Sequence, residues 1–96
     1  MKFEWDEDKE KANREKHGID FSVAALVFDD DYRIEAYDDM HSVFEDRYLT
    51  IGRVSDTVII IAVAYTERED AIRIISARIA DKREEREYYE RKGYRS

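Results

Sequence analysis

The sequence predicts an α+β fold, and three observations carry that prediction. Four runs rich in β-branched and aromatic residues, 32–37, 48–54, 57–65 and 71–76, are joined by links too short for crossovers. Two capped helical patterns precede them and a third follows. The 96 residues contain no proline, repeat or linker, so 1–96 reads as a single domain with one modest core. Charged residues make up 43 % of the chain and apolar residues another 43 %, but the apolar ones cluster. Ile59-Ile60-Ile61-Ala62-Val63-Ala64 supplies a buried strand, so the chain is a charged-surfaced globule and not a disordered tail.

Phe3-Glu4-Trp5 reads as a short first strand. Asp6 then suits an N-cap, with Glu7 and Asp8 in the first turn, where the helix dipole favours anions. That helix runs to about Lys16 and stops at Gly18, placed for the left-handed conformation that ends helices. Asp20 caps a second short helix whose Phe21, Ala24, Ala25 and Phe28 follow an i, i+3, i+4, i+7 stripe, closed by Asp29-Asp30-Asp31. Phe3, Trp5, Phe21 and Phe28 are expected in the core, since a small domain needs large apolar side chains.

The four β-rich runs follow as an antiparallel meander, with Ser55-Asp56 as a two-residue hairpin link and 66–70 as the next reversal. Gly52, inside a strand pattern, marks a bulge or a close backbone approach. Asp81 and Glu84 have capping-box spacing and Gly93 is a plausible terminator, so the last helix spans 82–92. Its large apolar residues are Tyr88 and Tyr89 alone, which predicts weak docking and a helix free to move or to meet RNA or a partner.

Composition excludes several function classes. Without cysteine there are no disulfides and no thiolate metal sites. No apolar run approaches ~20 residues, and the start of the chain lacks the apolar stretch of a secretory signal, so a cytoplasmic protein is expected. His17 and His41 lie far apart in sequence with no metal-ligand spacing, and the acid run at 29–31 lacks the spaced ligands of a calcium loop, so no metal and no cofactor are expected. The net charge of −7 is uneven: residues 29–47 hold eight acids against Arg33 and Arg47, while from Ala71 onward eight basic residues outnumber five acids. That leaves room for a basic working face but not for strong non-specific duplex binding. The acidic stretch is either a solvated loop or a surface that repels free nucleic acid and meets a basic partner.

Residues 65–78, Tyr-Thr-Glu-Arg-Glu-Asp-Ala-Ile-Arg-Ile-Ile-Ser-Ala-Arg, hold the densest chemistry. Strict alternation along the second strand sends Arg73, Ile75 and Ala77 one way and Ile72, Ile74, Ser76 and Arg78 the other. Two arginines, a hydroxyl and the turn carboxylate Glu67 would gather at one end of a sheet. Guanidinium forks match phosphate oxygens, so the inventory suits holding a phosphate and managing a proton.

Phe3-Glu4-Trp5-Asp6, Asn13 with Lys16-His17-Gly18, Phe21, Val27-Phe28-Asp29, Glu45-Asp46-Arg47 with Ile51-Gly52, and Tyr65-Thr66-Glu67-Arg68 followed by Arg73-Ile74-Ile75-Ser76-Ala77-Arg78 resemble, in order and spacing, the BrnT toxins. The resemblance covers residue 3 to about residue 90. It implies a type II toxin with a RelE-like fold that cleaves RNA. It also implies an antitoxin, BrnA, that blocks the toxin and binds operator DNA through a ribbon-helix-helix dimer.

Metal-free RNA cleavage needs a base for the ribose 2′-hydroxyl, cations for the phosphorane oxygens and an acid for the leaving oxygen. The resemblance carries Lys16 and His17 as candidates through the Lys-His-Gly motif, and Glu67, Arg68, Arg73, Ser76 and Arg78 through the second motif. In the roles so implied, Arg73 and Arg78 neutralise the phosphate, His17 with Lys16 or Glu67 moves protons, and Arg68 and Ser76 contact RNA. Each has a plainer reading. Lys16 and His17 sit where a helix C-terminus favours cations. Glu67 and Arg68 suit a polar turn, Ser76 suits a strand-end hydroxyl, and Arg73 and Arg78 suit ion pairs with Glu45, Asp46 or Glu67. His41 belongs to a polar loop. The alternative to a ribonuclease is a catalytically silent module that complexes a ribbon-helix-helix repressor and tunes operator binding.

Overall fold

A computed structural model describes residues 1–93 of the chain. The elements in order are β1 (Lys2–Glu4), α1 (Glu7–His17), α2 (Phe21–Ala24), β2 (Ile34–Tyr37), β3 (Tyr48–Arg53), β4 (Ile60–Arg68), β5 (Ala71–Ile79) and α3 (Lys82–Lys92). Helix α2 tightens directly into a 3₁₀ turn over Ala25–Asp29. The strands form one sheet in the order β1-β5-β4-β3-β2. β2, β3, β4 and β5 pair antiparallel in succession, while β1 pairs parallel to β5 through Lys2↔Ala71, Phe3↔Ile72 and Glu4↔Arg73. The α+β class holds, but the expected four-stranded antiparallel sheet is a five-stranded mixed one. The difference is β1, whose side chain Phe3 packs on Phe28 with ring centroids 5.3 Å apart and so draws the strand onto the open edge of β5.

Local chemistry explains most boundaries. The Asp6 carboxylate accepts from the amides of Asp8 (2.9 Å) and Lys9 (3.1 Å), and Gly18 ends α1 with φ +73°. Asp20 occupies the N-cap position of α2 without a side-chain cap bond. The Ser55-Asp56 link is longer than expected, because β3 stops at Arg53 and β4 starts at Ile60. The amide of Val54 bonds Ile59 O and that of Thr57 bonds Val54 O, and Ser55 takes φ +49° in a link that has no glycine. At the other end the strands outrun their expected limits. Pairing continues to Arg68↔Ala71, leaving only Glu69-Asp70 to turn. Gly52 marks a close approach: a Cβ there would lie 3.0 Å from Arg33 Cβ and 3.2 Å from Asp30 Oδ2.

Helices α1 and α2 cover one face of the sheet. Phe21, Ala24, Val27 and Phe28 pack there against Val63, Tyr65, Ile74 and Ala77, joined at the edge by Phe3 and Trp5. The other face carries α3, over Ile51, Ile60, Ala62 and Ala80.

Helix α3 is fastened more firmly than its two tyrosines predict, because its anchors are polar. Tyr88 is fully buried and its hydroxyl donates to Asp30 at 2.6 Å. Asp30 also accepts from the amides of Arg53 (2.8 Å) and Tyr32 (2.9 Å). Burial opposes the charge on Asp30, but the hydrogen bonds from Tyr88, Arg53 and Tyr32 outweigh it and hold its pKa below the usual carboxylate range. Burial and the Asp30 carboxylate push the Tyr88 hydroxyl far above its ordinary value. Tyr88→Phe should therefore cost about 1.5–3 kcal/mol in urea melts, the scale for a hydrogen bond to a charged group, and speed amide exchange across α3. Unchanged stability and exchange would mean the apolar ring alone holds the helix.

Candidate active-site face

The 71–79 strand does not alternate strictly. Ala64 pairs with Ser76 but the next residue, Tyr65, pairs with Ile74, so Ile75 is an extra residue in β5. Residues directly opposite share a face. Arg73 is opposite Thr66, Ser76 opposite Ala64 and Arg78 opposite Ala62, and all three lie on the α3 side. Ile72, Ile74 and Ala77 take the helix side with the main core. The expected separation of Arg73 from Ser76 and Arg78 is thus corrected: the bulge turns them onto one face.

Arg73 and Arg78 each already have a carboxylate. Arg73 donates to Glu4 on β1 at 2.8 Å, with both side chains partly exposed. Arg78 forms a two-pronged contact with Glu84 of α3, at 2.7 and 2.9 Å. That fork holds the Glu84 carboxyl below its usual range and pushes Arg78 up. Glu84 is 7 % exposed at its side chain and also accepts the Asp81 amide, completing the capping box. Arg78 therefore secures α3 and offers no free fork. Arg68 pairs with Glu45 at 3.1 Å at the end of β4. The partners expected for Arg73 and Arg78 (Glu45, Asp46 or Glu67) are replaced by Glu4 and Glu84.

The remaining candidates lie elsewhere. Glu67 is opposite Ile72, on the helix side, and is exposed. Lys16 and His17 occupy the last turn of α1. His17 lines a shallow apolar groove with Ile19, Val23, Ile59, Ile61 and Ile79, so the sheet stands between it and Arg73. His41 pairs with Asp38 at 2.9 Å in an exposed turn, and its hydrogen bond lowers the Asp38 pKa. The structure places Arg73, Ser76 and Arg78 on one face of β5, with Arg73 and Arg78 on separate carboxylates, and places His17 and Glu67 on the other side of the sheet.

Several residues of consequence carry no sequence signal of their own. Glu4 meets Arg73 only because β1 pairs with β5, and Glu84 reads in sequence as a capping residue and nothing more. Between β1 and the body of α3 the sheet face stays half-open, with Glu4, Arg73, Ser76 and Ala64 all partly exposed. A guanidinium, a carboxylate and a hydroxyl on one uncovered face suit a phosphodiester, since the fork takes phosphate oxygens and the carboxylate takes a proton. Among the described residues, no three His, Cys, Asp or Glu side chains stand close enough to hold a metal ion.

No curated protein matches the chain. The family model of the ribonuclease toxin BrnT of type II toxin–antitoxin systems matches residues 5–84, from just past β1 through the first turn of α3, and the chain belongs to that family.

Proposed function

We propose that this chain is a metal-independent, cytoplasmic endoribonuclease toxin with a RelE-like fold, acting as one domain over 1–96. A BrnA-like ribbon-helix-helix antitoxin neutralises it by covering Arg73, and it meets operator DNA only through that antitoxin. Family membership supports the ribonuclease class. The observation that carries the site is the partly exposed Arg73 guanidinium beside Glu4 and Ser76 on an open sheet face.

In the proposed reaction the ribose 2′-hydroxyl attacks phosphorus and the bond to the 5′ oxygen breaks. Arg73 holds the phosphate and offsets the charge that builds on its oxygens. Glu4 accepts the 2′-hydroxyl proton and returns it to the leaving oxygen. Ser76 and Arg68 contact the RNA strand on either side, while Arg78 keeps α3 in place through Glu84. Guanidinium groups supply the positive charge, so this scheme requires no metal ion. Cleavage of a defined RNA by the purified chain should survive EDTA. His17→Ala should keep activity within a few-fold, since His17 faces the other layer. Loss of cleavage with EDTA would end the metal-free scheme, and a hundredfold loss in folded His17→Ala would move the site to the α1 groove.

The silent binding module remains the second reading, favoured by the pairing of Arg68, Arg73 and Arg78 with internal carboxylates and by the net charge of −7. Expression of the chain without its antitoxin separates the two: growth arrest with RNA cleavage fits the toxin, and normal growth fits the module.

A further inference from the structure

β2 is the outermost strand on the side away from β1, and among the described residues it pairs with β3 alone. The Asp38 amide bonds Arg47 O, which sets the phase of the ladder. Antiparallel residues alternate between inward and outward bonding, so Ile34 and Ala36 bond to β3 while Glu35 and Tyr37 direct their N–H and C=O groups outward. Their side chains divide the same way. Glu35 and Tyr37 lie on the helix side: the Glu35 carboxylate accepts from the Tyr65 hydroxyl, and Tyr37 packs edge-on to Tyr48 with its hydroxyl on Asp46. Ile34 and Ala36 lie on the α3 side, beside Leu49 and the second apolar cluster.

Two further observations surround this edge. An open cleft of about 440 Å³ runs beside the start of β2, lined by Asp31, Arg33, Ile34, Glu35 and Arg91. Just past the end of β2, Met40, Val43 and Phe44 are 83, 73 and 101 % exposed in the connection to β3. Arg33 and Glu35 neutralise each other at 3.1 Å and Arg91 lines the cleft, so the net negative charge near the edge comes from Asp31, Asp38, Asp39 and Asp46.

We infer that the β2 edge takes up an extended segment of the antitoxin as a sixth strand, in which basic residues alternate with apolar ones. The inference rests on the reading of the chain as an antitoxin-neutralised toxin. Outward backbone groups supply the ladder bonds of strand addition. The basic side chains of the added strand meet Asp46 and the face of Tyr37, where carboxylate and aromatic ring both attract a cation. Its apolar side chains continue the surface of Ile34 and Ala36, and Met40, Val43 and Phe44 close over the end. A second copy fits this edge poorly, because self-pairing sets Glu35 against the same acidic row. RNA fits it poorly because the same acids repel phosphate.

The test compares Tyr37→Pro with Tyr37→Ala in the full chain, titrated with a purified BrnA-like antitoxin. Both variants lose the ring, but only proline removes the outward N–H, and an edge strand tolerates proline where that group faces solvent. Tyr37→Pro should bind the antitoxin about five- to tenfold more weakly than Tyr37→Ala, the effect of one lost hydrogen bond. In the wild-type complex the Glu35 and Tyr37 amides should become protected from hydrogen exchange. A peptide of alternating Lys and Val should protect the same amides, and one of alternating Glu and Val should not. Equal affinity of the two variants overturns the inference, as does free exchange of those amides in the complex. Protection of the edge in the free chain, rising with its concentration, would assign it to self-association, and protection by RNA would assign it to substrate; either also overturns it. Cleavage by the isolated chain is read separately, so an inactive chain that shows the protected edge removes the ribonuclease reading and leaves this one standing.

Discussion

Arg73→Ala should cut cleavage of a defined RNA by roughly 10²–10³-fold, the scale for removing one preorganised donor from a developing oxyanion. Arg73→Lys should recover only part of that loss, because an ammonium is a point charge and cannot reproduce the planar fork. Glu4→Gln keeps the shape and a hydrogen bond to Arg73 while removing the basic oxygen. It should therefore lower the rate of cleavage with Arg73 still held in place, whereas a merely structural role for Glu4 would leave the rate unchanged. The Arg73–Glu4 pair is partly exposed, so each variant should stay folded within about 1 kcal/mol of wild type in thermal melts. Full cleavage by folded Arg73→Ala would reject the open face as the site.

Asn13→Leu should destabilise the chain by about 3 kcal/mol or more, because it strands several buried backbone groups together. Asn13 is 7 % exposed, and its side chain serves β5 as a neighbouring strand would. Its Nδ2 donates to Ala77 O (2.9 Å) and Ile19 O (3.1 Å), and its Oδ1 accepts the Ala77 amide (3.0 Å). β1 pairs with β5 only as far as Arg73, so no strand reaches Ala77 on that side. Leucine fills the space without satisfying any of these groups. Urea denaturation measures the loss, and Asn13→Asp, which sets a carboxylate oxygen against the Ala77 and Ile19 carbonyls, should cost at least as much at neutral pH. A Leu variant within 1 kcal/mol of wild type would mean that water takes over the bonds.

Local signals were legible in the sequence and long-range ones were not. Asp6, Gly18, the Asp81–Glu84 box and Gly93 marked helix ends where the structure has them, because a cap is a contact between residues a few positions apart. Phe3, Trp5, Phe21 and Phe28 pack in or against the core as their size demands, with Trp5 edge-on to Phe21 at 6.0 Å. Glu4–Arg73, Asn13–Ala77 and Asp30–Tyr88 each join residues more than fifty positions apart, and nothing in either partner's neighbourhood announces the other. The weak docking read for α3 failed for the same reason: counting apolar residues misses a helix held by a buried phenol and a buried carboxylate. The proposed site was legible as a motif, but its geometry was not. The resemblance grouped Lys16 and His17 with the 65–78 motif, and nothing in the sequence showed that the sheet lies between His17 and Arg73.

The extra residue Ile75 has a consequence for how this strand tolerates change. Arg73 shares a face with Ser76 and Arg78 only because an odd step separates them and the bulge absorbs it. The composition of the open face is governed by a count, in the way a message depends on its reading frame. A swap of one side chain in 74–76 alters one contact, whereas loss of a single residue there would carry Arg73 to the opposite layer, away from Ser76 and Arg78, or force β5 to slip against β4. Length is thus the constrained quantity between the two arginines, and side-chain identity at Ile75 the freer one.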